Sequence, residues 1–397
     1  MRCIIFFLAG FVSLPCFAVL NHISKPELDL MYSLYQAQDR DISKKQLKKR
    51  LLENQFLISQ AQSRALPILK RHSAVGFSNQ YHVRRYLLAM LKHKFPHHAK
   101  QQMQGITLDW SSDKLISALG PYPNSGQYSD TQLQQWFGVE LVKSPRLTLG
   151  DVVYDQSMQG RFALHNGDVK QLQVAVNEYV HFHILTKLIS SELGKHKLDA
   201  DRLELLALGE LLRPPMQTYL GVIDELHGER SGYVEAIKDS LTTKEIKHFY
   251  SSNKQDFKYL DNLLAIALVF ADQKQAETIF TQANQSSMKS TMEKNGLYNQ
   301  FSGSDKLQMP IKITRQHAKS WLAQFAFSSK VGQVSRPIRM PNGQWAIVYT
   351  EQPKFKFHAP NSETVRYRAS LSLTRKKAAT AYEKLFKTWQ KTQGVIL

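Results

Sequence analysis

The chain has 397 residues, with 52 lysines and arginines against 33 aspartates and glutamates and a formal charge of +19, enough length for two or three domains with cores of their own. Its two cysteines, Cys3 and Cys16, lie so near the start that the chain beyond residue 18 can form no disulfide, thiol nucleophile or cysteine metal site. Basic residues are dispersed, as at Lys44, Lys45, Lys48, Lys49, Arg50 and again at Arg366, Arg368, Arg375, Lys376, Lys377, without zinc spacing, an aromatic RNA-binding motif or a compact basic helix. No nucleic-acid partner is expected.

Residues 1–18 have the layout of a secretory leader: Arg2, an apolar run from Ile4 to Val12, then Pro15-Cys16-Phe17-Ala18. The run is too short to span a bilayer. Pro15 before Cys16 suits lipid modification poorly, so cleavage after Ala18 is expected, with export to the periplasm. There the positive charge would serve solvated helix faces, and would draw anionic lipid or acidic unfolded chains in a salt-sensitive way.

Three hydroxyl residues have an acid three positions on, just before a helical pattern: Ser24 with Glu27, Thr148 with Asp151, and Thr242 with Glu245. Each predicts a capped helix start. The first opens a segment followed by a helix through Leu47, Leu51 and Ile58. The second leads to a helix through Leu172, Val176, Val180, Ile184 and Leu188, and the similarity suggests a weak duplication with its boundary near 121–146. Between them the run from Gly120 to Gly126 is a loop. A helix from Ala200 to Leu212 is expected to break at Pro214-Pro215. From Thr242 the pattern becomes mixed: a helix start, a buried strand from Leu263, a helix around Gln275–Gln282, a polar stretch to Met309, a helix through Trp321, and a closing hairpin turned by Pro341-Asn342-Gly343. That order predicts a small α+β domain with helices over an antiparallel sheet. Ala378, Tyr382, Leu385 and Trp389 then form one stripe of a terminal helix that needs the N-terminal helices as its partner.

Motifs of covalent catalysis are absent: there is no Gly-x-Ser-x-Gly elbow, His-Glu-x-x-His or glycine-rich phosphate loop. His93, His97 and His98 are interrupted by Pro96, and His181 and His183 point in different directions on one helix, so neither group predicts a metal site. Asp151, Asp155 and Asp168 are explained by capping and solvent exposure. No cofactor is expected.

Several segments resemble exported foldases of the SurA, PrsA and PpiD-like group, which carry a parvulin-type (PpiC-type) peptidyl-prolyl isomerase domain. They are FAFSSKVGQVSRPIRMPNGQWAIVYTE from Phe325, TTKEIKHFYSSNKQDF from Thr242, QKQAETIFTQ from Gln273, residues 19–60 with a short opening strand, and the tail from Arg366 through Gln390 with Val395-Ile396 as closing strand. The resemblance implies an α+β protein, with a mainly helical chaperone domain (19–240, closed by 355–397) and an inserted parvulin-like domain (241–354). The group's pattern is incomplete in this chain. Its first-strand histidine has no counterpart in Leu264–Leu268, its return-strand histidine matches Trp345, its paired glycines reduce to KNGLYNQFSGSDK from Lys294, and its pocket methionine and phenylalanine align with Ala318 and Leu322. Phe327 retains the pocket-wall aromatic. By that alignment Leu322, Phe325, Phe327 and Trp345 are the expected substrate contacts, and no catalytic residue is assigned. The expected partners are unfolded or proline-containing polypeptides, outer-membrane proteins among them, bound by a degenerate isomerase domain.

Overall fold

The computed structural model describes residues 19–71, 75–99, 105–224, 230–315 and 320–395; the expected leader, Ala318 and Ile396 lie outside them. The chain divides into two compact units, Met1–Ile237 with Arg375–Leu397, and Lys238–Thr374.

The first unit contains α1 (Lys25–Gln36), α2 (Lys44–Ser63), α3 (Asn79–Lys94), α4 (Pro96–Ala99), α5 (Ser112–Leu119), α6 (Asp130–Phe137), β1 (Glu140–Val142), β2 (Leu147–Thr148), α7 (Leu149–Asp155), α8 (Met158–His165), α9 (Val169–Lys195), α10 (Ala200–Tyr219) and most of α11 (Gly232–Asp239). Both predicted caps are present as reciprocal boxes: the Ser24 and Thr148 hydroxyls accept from the backbone N–H of Glu27 and Asp151, whose carboxylates accept from the cap residues in return. Residues 19–23 form no strand; the Leu20 N–H donates instead to Gln55 Oε1 at 3.2 Å.

Helices α2 and α10 pack tightly where Gly209 faces Asn54, since a β-carbon on Gly209 would come within 2.8 Å of Asn54 Cβ. Contrary to the sequence expectation, α10 continues through Pro214 and Pro215 to Tyr219. Each proline removes one N–H, but Leu212 before them and Met216 and Leu220 after them are fully buried, and that burial carries the helix on. The final helix, α16 (Glu363–Gln393), ends in this unit. Tyr382, Phe386 and Trp389 set their rings 5.5, 5.3 and 5.9 Å from that of the fully buried Phe56, while Leu385, expected on this stripe, is only half-buried.

A polar network binds the same helices. The Glu210 carboxylate accepts from Tyr35 Oη at 2.7 Å, Arg50 Nη2 at 2.8 Å and Asn54 Nδ2 at 2.7 Å, and Tyr382 Oη donates to Glu53 at 2.8 Å. Burial by itself would raise the Glu210 carboxyl, but Arg50, Tyr35 and Asn54 outweigh it and hold the group below its ordinary range. Glu27 behaves alike: burial opposes ionisation, and Arg202 with the Ser24 N–H reverses it. Carboxyls depressed in the folded state are protonated first in the unfolded chain. Their stabilisation is therefore complete above the unfolded value of about 4.3 and is lost as pH falls through the lower folded values. Denaturant titrations of the first unit should give a constant midpoint from neutrality to about pH 5 and a falling one below about pH 4. A midpoint flat to pH 2 would refute this.

A second cluster, of α5 to α9, surrounds Leu115, Trp136, Leu164, Leu172 and Val176. Helix α9 serves both clusters, giving Leu172, Val176 and Val180 to one and Leu185, Ile189 and Leu193 to the other. The predicted continuation through Leu188 fails because the contact stripe shifts by one position along this long helix, leaving Leu188 43% exposed. Asp168 caps α9 as expected, but Asp155 is buried and paired with Arg84 rather than solvated.

The second unit comprises α12 (Thr243–Ser252), β3 (Lys258–Phe270), α13 (Gln273–Gln285), α14 (Met288–Asn295), β4 (Ile311–Thr314), α15 (Trp321–Ser328), β5 (Ile338–Arg339), β6 (Trp345–Phe357) and the start of α16. Thr242 and Glu245 form the third reciprocal box, at the start of α12. The four strands form an antiparallel sheet in the order β4-β3-β6-β5. The turn at Pro341-Asn342-Gly343 joins the last two, with Gly343 at φ +85°. Helix α15, predicted through Trp321, extends on through Phe325-Ala326-Phe327 to Ser328.

Pairing of β3 with β4 ends at Ala265 opposite Ile311, and a side chain continues it. The buried Asn299 donates from Nδ2 to Ala265 O at 2.8 Å and to Met309 O at 3.0 Å, and its Oδ1 accepts from Ala267 N at 2.9 Å and Phe301 N at 3.1 Å. One amide side chain thus satisfies the strand edge and anchors the following loop.

Candidate functional site: the α15 face of the sheet

Strand side chains alternate between the two faces of a sheet, and the register of β3 with β6 assigns each residue to one of them. Ala265, Ala267 and Val348 share a face with Leu263 and Ile313, and this face is covered by α15 through Ala326 and by Phe301. Ile266, Leu268, Phe270 and Ile347 face the other way, packed with Ala276, Ile279 and Met292 of α13 and α14.

Three expected contacts therefore lie together. Leu322, Phe325 and Phe327 are half-buried on α15 against the alanine-rich face, with the Trp321 ring 5.4 Å from that of Phe325. Trp345 does not join them. It pairs with Phe270 and packs among Ile266, Ile279 and Ile347 on the opposite face, so the alignment that grouped it with the other three is corrected by the two-residue period of the strand. The residues of β6 on the α15 side are Ala346, Val348 and Thr350.

What the face offers chemically follows from its composition. Leu263, Ala265, Ala267, Ile313, Ala346 and Val348 present only hydrocarbon, and none of them can give or take a proton. Among the described strand residues of this face the polar one is Thr350, whose Oγ1 is fully buried and has no hydrogen-bond partner. Arg315 marks the margin, 5.4 Å from the Phe327 ring, while its Nε donates to Leu260 O at 2.9 Å. The sequence reading missed Phe301, Thr350 and Arg315. A parity count from the Gly343 turn would have found Thr350, two residues beyond Val348.

Among the described residues, no group of three histidine, cysteine, aspartate or glutamate side chains is placed to hold a metal ion, and no helix is long and apolar enough to cross a membrane.

Comparison with protein families matches residues 241–356 to the PPIC-type PPIASE domain, which supports the parvulin-type resemblance for this segment. The chain as a whole is an α+β protein, mainly helical with this sheet-containing portion inserted between helical ones. It is also similar to solved structures. A peptidylprolyl isomerase, PrsA, from Bacillus anthracis shares 17% identity over 53% of this chain and 83% of that one, with a TM-score of 0.22. The foldase protein PrsA from Streptococcus pneumoniae shares 12% over 53% and 73%, with a TM-score of 0.22. A structure from the work on the SurA-like chaperones PEB4 and Cj1289 of Campylobacter jejuni shares 17% over 70% and 98%, with a TM-score of 0.23. No curated protein matches the chain.

Proposed function

We propose that this chain is an exported foldase of the SurA-like kind, which binds non-native envelope polypeptides, outer-membrane proteins among them, in the periplasm. Its parvulin-like portion binds extended, proline-containing segments without efficiently isomerising them. The observation that carries this reading is the α15 face: half-buried Leu322, Phe325 and Phe327 packed on Leu263, Ala265, Ala267, Ile313 and Val348, strand residues that carry no acid, base or imidazole. Isomerisation has a barrier of about 18–20 kcal/mol and breaks no covalent bond, so a site lowers it by gripping and desolvating the prolyl amide. The partly accessible Leu322, Phe325 and Phe327 adsorb apolar side chains, while the alanines and valine beneath α15 are fully buried and add nothing to the surface that could hold a prolyl ring in a fixed pose.

Two measurements test the reading. The purified protein should suppress aggregation of an unfolded outer-membrane protein, and Phe325→Ser with Phe327→Ser should weaken that suppression by at least about threefold, from the loss of two aromatic contacts. In a prolyl-peptide isomerisation assay at micromolar protein, the rate should match buffer. Absence of suppression at several-fold excess would remove the foldase reading. A clear acceleration of isomerisation would restore the isomerase one. Capture of a single stoichiometric partner from envelope extracts, in place of many clients, would point instead to a dedicated accessory protein.

A further inference from the structure

A cavity of about 310 Å3 opens in the first unit, lined from three sides by α3, α7 and α9. Its size is at the lower end of ligand pockets, which hold about 300–1,000 Å3. Tyr81, Tyr179 and Phe182 supply aromatic surface, with Leu88, Leu147 and Val152 beside them.

The polar groups decide what it can take. Asp155 is engaged inside the protein, accepting from Ser78 Oγ and from Arg84, whose guanidinium also lies 5.3 Å from the Tyr179 ring. Asp151 is engaged too, accepting from Thr148 N at 2.9 Å and Oγ1 at 2.6 Å. Glu178 is exposed. With Asp151 and Asp155 engaged, two exposed cations, Arg85 and Lys92, outnumber the one exposed carboxylate, Glu178. Arg85 is exposed and uses one N–H on the Tyr81 hydroxyl at 3.2 Å, Lys92 is exposed, and His181 Nε2 is shielded from solvent with no hydrogen-bond partner. Aromatic walls with spare cationic donors complement an aryl group beside an anion.

We propose that this cavity binds an aromatic side chain lying next to a carboxylate. A polypeptide presents that chemistry where an aromatic residue adjoins Asp or Glu, or where the chain ends in an aromatic residue. The inference rests on the polypeptide-binding reading above and names the class of segment selected.

Isothermal titration calorimetry at low salt on the full chain tests it, using short acetylated Gly/Ser peptides that carry internal Phe-Glu, internal Phe-Lys or internal Leu-Glu, all amidated, and a C-terminal Phe as free acid or amide. At least one acid-bearing Phe peptide should bind about tenfold tighter than its Phe-Lys or amidated counterpart, and Leu-Glu should bind more weakly than Phe-Glu. Whichever acid-bearing peptide shows the preference assigns the source as internal segment or chain end. Arg85→Glu with Lys92→Glu, both exposed on α3, should abolish the preference with the helical circular dichroism unchanged, and Tyr179→Ala should weaken binding of every Phe peptide. Affinities within about twofold across the set, or a preference that survives the double charge reversal, would overturn the proposal. Aggregation suppression reports separately on the parent reading: suppression without peptide preference leaves the foldase function and removes this site, and preference without suppression does the reverse.

Discussion

Truncation of Phe56 to alanine is expected to cost the first unit about 3–5 kcal/mol, the range for a large aromatic removed from a core. Phe56 has no exposed surface and is the ring that Tyr382, Phe386 and Trp389 share, so its loss strips the inner contact of three residues of α16 at once. The surrounding helices cannot close the gap easily, because α10 already packs so tightly on α2 at Gly209 that a β-carbon there would lie 2.8 Å from Asn54 Cβ. Urea denaturation followed by tryptophan fluorescence and far-ultraviolet circular dichroism measures the loss. Leu385→Ala, on the half-buried flank of the same helix, serves as the control and should cost far less. A Phe56→Ala loss below about 1 kcal/mol would mean that α16 does not depend on this ring.

Replacing Asn299 by leucine should destabilise the second unit by about 3 kcal/mol, although leucine fills nearly the same space. The substitution leaves Ala265 O and Ala267 N buried at the strand edge with nothing to bond, at roughly 1–3 kcal/mol for each unsatisfied group. Ala265 and Ala267 also form the floor beneath α15, so the same change should loosen the proposed client surface. Native-state hydrogen exchange reads both effects. The Ala267 amide should lose protection by orders of magnitude while amides of α2 and α10 keep theirs; unchanged protection at Ala267 would remove Asn299 from this role.

Much of this was legible in the sequence, because the signals were local. Ser24, Thr148 and Thr242 announce their helices through a hydroxyl and an acid three residues apart, and Pro341-Asn342-Gly343 announces its turn through the one residue that accepts a positive φ. What stayed hidden depends on distant partners. Pro214 and Pro215 read as a break because intrinsic preference is local, whereas the buried leucines and methionine around them are satisfied by α2. Trp345 read as a cleft residue because an alignment carries sequence position and not strand parity. Asn299 gave no signal, since an asparagine in a polar stretch looks like any loop residue until the strand edge it completes is known.

That Tyr382, Phe386 and Trp389 come from the last helix while their shared ring lies on α2 has a consequence for biogenesis. A polypeptide leaving a ribosome or a translocon emerges from its N-terminus, so the second unit is complete before the residues that finish the first have appeared. During that interval the surface around Phe56 stands uncovered, an apolar patch on a nascent chain among other nascent chains. The protein is itself, for that time, the kind of unfinished polypeptide it is proposed to receive, and its last helix decides when that state ends.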